Sequence, residues 1–186
     1  MSSRPAKKWF NVTDYYRMAD TGILTGKDHV ELIEGEIIKM SPIGSRHAAC
    51  VNRLTAYLHA VVQNAAIVSV QNPVHLDEYS EPEPDLTLLK PRKDFYANAH
   101  PLPADVLLII EVSDTSFEYD RDIKLPLYAK AGIPEVWLID LQNEKIEIHR
   151  QPVANRYKIS TAHKRGASFQ SAAIADASIV VDKILG

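Results

Sequence analysis

A single cysteine, Cys50, stands among the 186 residues. That excludes an internal disulfide and suits a reducing cytoplasm. In its apolar setting it reads as a small core residue rather than a reactive thiol. Long hydrophobic runs are missing too: the longest, Val106 to Ile110, is strand-sized, far short of the roughly 18 apolar residues of a membrane span. Arg4, Lys7 and Lys8 run straight into Trp9 and Phe10 with no apolar stretch of signal-peptide type, so no membrane association is expected. There is no excess of positive charge; the net charge of −3 argues against a protein that coats nucleic acid by bulk electrostatics. It leaves room for an enzyme that places a few carboxylates around a metal. The seven histidines show no HxxxH spacing and one cysteine forms no CxxC, which disfavours zinc. A GxGxxG turn, a Walker loop and a GxSxG elbow are absent, removing the commonest nucleotide-binding and hydrolase readings. With no repeat, low-complexity tract or Gly/Ser linker, residues 1–186 read as one domain.

What is present is an alternation of helical and extended patterns. Thr13 and Asp14 read as the cap of a short helix ending near Gly22. Val30 to Ile33 and Glu36 to Met40 flank Glu34-Gly35, a tight hairpin. Ser45 is positioned to cap a helix to about Ala65, whose apolar Val51, Leu54, Leu58, Val61 and Val62 recur at helical spacing. A strand is expected over Ile67 to Leu76, an exposed acidic loop over Asp77 to Pro84, and a strand from Asp85 to Leu89. Lys90 to Asp105 reads as a long loop. Val106 to Val112 and Glu135 to Asp140 read as buried central strands, joined through a helix over Arg121 to Ala131 in which Pro126 demands a kink or a late start. Glu144 to Arg150 and Arg156 to Ala162 form a final antiparallel pair, with Pro152 and Asn155 in the turn. The expected architecture is α/β: an N-terminal helix and hairpin (10–42), a mixed-sheet core in the order α-β-β-β-α-β (45–140), and a C-terminal hairpin extension (141–186).

Glu111 is the most informative residue. Strand alternation places it on one face with Leu107 and Ile109, a carboxylate at the carboxyl end of a covered strand. It requires a metal, a cation or a cleft open to water; an ion pair with a nearby Arg or Lys is the plainer alternative. Asp85 opens the preceding strand, its entry restricted by Pro82 and Pro84. Were the two strands neighbours, these carboxylates would converge as a hard oxygen pair for Mg²⁺ or Mn²⁺. Lys124, in the following helix, either faces that site or forms a surface i,i+4 pair with Asp120. Glu31 in the hairpin and His47 in the first turn of the long helix are supporting candidates for the same cleft.

The segments PDLTLL from Pro84, IIEVSDTS from Ile109 and YDRDIKLPLYAKAGIPEVWLID from Tyr119, with VELIEGEI from Val30 and SRHAACVNRL from Ser45, resemble the Uma-type restriction endonucleases. That family, long carried as a domain of unknown function, belongs to the PD-(D/E)xK nuclease superfamily. The resemblance implies a restriction-endonuclease-like fold and Mg²⁺- or Mn²⁺-dependent hydrolysis of DNA phosphodiester bonds. It implies Asp85 and Glu111 as metal carboxylates, with the Val112 backbone carbonyl beside them, and Lys124 as the catalytic lysine. The superfamily pattern has its lysine two residues after the glutamate, where this chain has Ser113; Lys124 matches the position to which the family's lysine has moved. Glu31 and His47 fall on recurrent family positions, and a homodimer is implied by analogy with other nucleases of the superfamily. Two readings compete with a nuclease: a non-catalytic nucleic-acid or protein-interaction module that kept the fold, and a metal-dependent hydrolase of a small phosphorylated substrate.

Overall fold

The sheet at the centre of the molecule has six strands in the order β3-β4-β5-β6-β7-β8. The computed structural model describes residues 6–174 and 177–186, so Arg4 lies outside it. In chain order the elements are α1 (Val12–Asp20), β1 (Val30–Ile33), β2 (Glu36–Lys39), α2 (Ser45–Val62), β3 (Ile67–Val70), β4 (Leu86–Leu89) and β5 (Val106–Ser113). A helical segment follows, made of α3 (Phe117–Tyr119), a π-turn (Asp120–Lys124) and α4 (Leu125–Lys130). Then come β6 (Glu135–Asp140), β7 (Lys145–Val153), β8 (Arg156–Lys164), β9 (Ser168–Gln170), β10 (Ser178–Val180) and α5 (Val181–Leu185). The α-β-β-β-α-β order of the core is that read from the sequence. β5 and β6 are parallel, as a helical crossover requires, and every other pairing in the sheet is antiparallel.

Two apolar layers cover the sheet. On one face α2 contributes Cys50, Val51, Leu54, Leu58 and Val62, packed with Leu86, Leu108, Ile110 and Trp137 and with Ile184 of α5. The other face buries Ile109, Val136 and Leu138 under Leu127 and Tyr128 of α4 and Ile33 of the hairpin. β6 is buried along its whole length, which is why it reads as an unbroken apolar run. Among the described residues no helix is long and apolar enough to cross a membrane.

Several expectations are corrected. Asn11, not Thr13 or Asp14, caps α1: its side chain accepts the Asp14 N–H at 2.7 Å. Gly44 is at the N-cap of α2, so Ser45 is the first helical residue and makes no side-chain cap. β3 ends at Val70 rather than Leu76 because Gln71 turns to φ +50, outside strand geometry. The acidic loop from Asp77 to Pro84 is not simply exposed. Ser80, Glu81, Pro82 and Pro84 are buried, with the Glu81 N–H on the Leu32 carbonyl at 2.8 Å and its carboxylate held by Tyr16 and His75. Burial is tolerated there because those polar groups find partners.

The helix after β5 starts at Phe117, four residues earlier than expected. Pro126 has no N–H to donate, and the chain takes a wider step just before it, the Leu125 N–H bonding Asp120 O. Pro126 then occupies the first turn of α4, where no donor is missed. Leu107 does not share the Glu111 face. The β4–β5 register shifts between Leu88 and Leu89, and Leu107 packs with the α2 layer while Val106 packs with the other. Pro152 is inside β7, opposite Tyr157, past the part that pairs with β6 and after Gln151 at φ +60. β9, β10 and α5 were not expected; each is too short to print a period on the sequence.

Candidate active site

Antiparallel pairing sets Leu86 opposite Ile110, so Asp85, one residue outward on β4, faces Glu111 on β5. The Asp85 N–H points to Glu111 Oε2 at 3.4 Å, and Asp85 Oδ2 accepts the Val112 N–H at 2.8 Å. The same Oδ2 is 3.0 Å from His47 Nε2, which reaches it from the first turn of α2. The Val112 group in contact with Asp85 is therefore its N–H.

Glu111 is buried, and Oε1 accepts from the Tyr128 hydroxyl at 2.5 Å and from Lys124 Nζ at 3.3 Å. Lys124 Nζ lies also 3.0 Å from Glu31 Oε2, and that oxygen accepts the Glu83 N–H at 3.2 Å. Lys124 is 5% exposed, and the surface pair with Asp120 does not form. Asp120 is buried instead under the hydroxyls of Ser113 and Ser116, at 2.7 and 2.9 Å. The structure thus brings Asp85, Glu111, Lys124, Glu31 and His47 into one connected cluster.

Two tyrosines were missed. Tyr128 follows Lys124 by four residues, the spacing of one helical face, and that was a legible signal. Tyr119 had none: its hydroxyl is buried and has no hydrogen-bond partner among the described residues. Burial, and then the Glu31 carboxylate, push this phenol up to about 12, so it is an O–H donor at any ordinary pH.

The cluster is rich in negative charge. Burial raises Glu111 above the carboxylate range against the pull of Lys124. Burial would lower Lys124, but Glu111 and Glu31 outweigh it and hold the ammonium above its ordinary value. The ammonium of Lys124 thus stays charged between Glu31 and Glu111. His47 is raised by its hydrogen bond to Asp85, against burial.

Glu31, Asp85, Glu111 and Asp120 set four carboxyl groups against one ammonium and one imidazole, an excess of negative charge that a further cation would offset. Among the described residues no three His, Cys, Asp or Glu side chains gather closely enough to hold an ion alone. Two carboxylates with water and a phosphate oxygen match the shell of Mg²⁺ or Mn²⁺ and are too few and too hard for zinc.

The profile of one family, Uma2, described as "Putative restriction endonuclease", matches residues 12–182. Among solved structures the chain is similar to a crystal structure described as "a putative nuclease belonging to DUF820" from Anabaena variabilis ATCC 29413. The TM-score is 0.72 at 14% identity, over 95% of this chain and 97% of that one, a likeness of fold. No curated protein matches.

Proposed function

Because this chain belongs to the Uma2 family, we propose that it is a nuclease that hydrolyses DNA phosphodiester bonds with Mg²⁺ or Mn²⁺ at the Asp85–Glu111 site. The observation that carries the reading is the cross-strand placement of Asp85 beside Glu111, the Asp85 N–H on the Glu111 carboxylate and the Val112 N–H on that of Asp85, next to a buried ammonium. Asp85 and Glu111, with the Val112 carbonyl, would hold the ion. When bound, it would supply a water of lowered pKa and a Lewis acid for the phosphate oxygens.

The remaining work falls to the chain itself. Lys124, kept protonated by Glu31 and Glu111, provides fixed positive charge for the oxygens on which negative charge develops. Tyr128 fixes the orientation of Glu111, and His47 that of Asp85. Tyr119 offers an uncommitted O–H to an anionic oxygen entering the cluster.

One observation favours a non-catalytic module instead: Lys124 is already satisfied by two carboxylates, as in a structural ion pair. Incubation with plasmid and oligonucleotide DNA and Mg²⁺ or Mn²⁺ separates the two. Cleavage abolished by EDTA and by Asp85→Asn supports the nuclease; intact DNA with both metals removes it.

A further inference from the structure

Between α1, the β1–β2 hairpin and the segment around Pro73 lies a groove of about 680 Å³. Tyr15, Tyr16, His29 and His100 line it, together with Glu81 and Glu83. Tyr16 and His100 are nearly parallel, 19° apart with centroids 6.3 Å from one another, and Tyr16 is 38% exposed. Glu81 is committed, accepting from the Tyr16 hydroxyl and meeting His75 Nδ1. Glu83 is not: its half-buried carboxyl group makes no hydrogen bond or ion pair among the described residues.

Glu83 joins the groove to the candidate active site. Glu83 is two residues before Asp85, and its N–H bonds the same Glu31 oxygen that holds Lys124. Among the described residues no Lys or Arg lines the groove, and its two carboxyl groups disfavour a phosphate there. A flat ring carrying an amine meets the reverse: aromatic faces for stacking and an uncommitted acceptor.

We infer that this groove receives one unstacked, amino-bearing nucleobase of the substrate strand, its ring beside Tyr16 and His100 and its exocyclic amine donated to Glu83. The identity of the occupant rests on the nuclease reading; the chemistry of the groove does not. Substrates with an unpaired base beside the scissile phosphate would then be preferred over uninterrupted duplex, because unstacking there is already done.

Fluorescence anisotropy of the full chain with oligo(dC) and oligo(dU) of equal length, Ca²⁺ replacing Mg²⁺, isolates the base. The two strands share sugars and phosphates; cytosine presents an amine where uracil presents a carbonyl oxygen that a carboxylate repels. Oligo(dC) is expected to bind about ten-fold tighter, and Tyr16→Ala to weaken both by about ten-fold. Tyr16 also holds Glu81, so the decision falls on Glu83→Ala, which removes no internal side-chain hydrogen bond and should make the two affinities equal. Equal affinities in the parent, no binding of either strand, or an unchanged preference in Glu83→Ala overturns the inference. Plasmid cleavage measured in parallel keeps the questions apart. Cutting without base preference removes the groove and leaves the nuclease; preference without cutting removes the nuclease and leaves the groove.

Discussion

The Val112 N–H donates to Asp85 Oδ2 over 2.8 Å. The residue after Glu111 thereby clamps the residue that opens β4, and the end of the β4–β5 pair is closed by a side chain. Asparagine keeps an oxygen for that bond and loses the charge. Asp85→Asn should therefore unfold in urea close to the parent yet bind Mn²⁺ far more weakly in calorimetry. Equal Mn²⁺ affinity would make Asp85 a structural clamp only. Asp85→Ala leaves the Val112 N–H unpaired and should cost roughly 1–3 kcal/mol of stability.

Lys124→Ala strips the cation that stands between Glu31 and Glu111. Breaking a buried pair this way costs about 3–5 kcal/mol, a loss visible in urea unfolding. Where the variant is still folded, cleavage should be on the order of a hundred-fold slower with DNA binding little changed. Lys124→Arg keeps the charge but not its shape and should recover part of the rate. Cleavage at the parental rate by folded Lys124→Ala would confine Lys124 to a structural ion pair.

Tyr119→Phe removes a buried hydroxyl that has no hydrogen-bond partner among the described residues. An unsatisfied buried donor is a burden, so the variant should be as stable as the parent or more so, by up to about 1 kcal/mol. If the hydroxyl serves an anionic oxygen, turnover should fall about ten-fold while stability does not. A stability loss with unchanged turnover would reverse the assignment.

His47 is raised by its bond to Asp85, against the opposing effect of burial. A histidine whose folded pKa exceeds its unfolded value stabilises fully below that unfolded value, about 6.5, and the contribution is lost as pH rises through the folded pKa. In EDTA, the stability difference between the parent and His47→Gln should be largest below about pH 6.5 and shrink above it. A difference that grows with pH would mean that His47 is held neutral.

Much of the fold is legible in local pattern. The 3–4 spacing from Val51 to Leu58 defines α2, the unbroken apolar runs define β5 and β6, and Glu34-Gly35, at φ +48 and +80, makes the expected hairpin. Pro82, Pro84 and Asp85 mark an entry into a strand, and Glu111 is conspicuous as a charge inside an apolar one. These features depend on residues a few positions apart, and sequence order carries them.

Other features were decided only by the tertiary structure. That Asp85 faces Glu111 follows from β4 and β5 being antiparallel neighbours in register, which no local period encodes. Lys124 points inward because the π-turn before Pro126 and the carboxylates of Glu31 and Glu111 together favour burial over a surface pair with Asp120. Glu31 arrives from a separate hairpin, and the acidic segment before Asp85 is buried because Tyr16, His75 and the Leu32 carbonyl take up its polar groups. A buried polar group is stable only where a partner meets it, and here the partners come from distant parts of the chain. Periodicity could locate the strand that carries Glu111, but only the packed chain could supply the ammonium beside it.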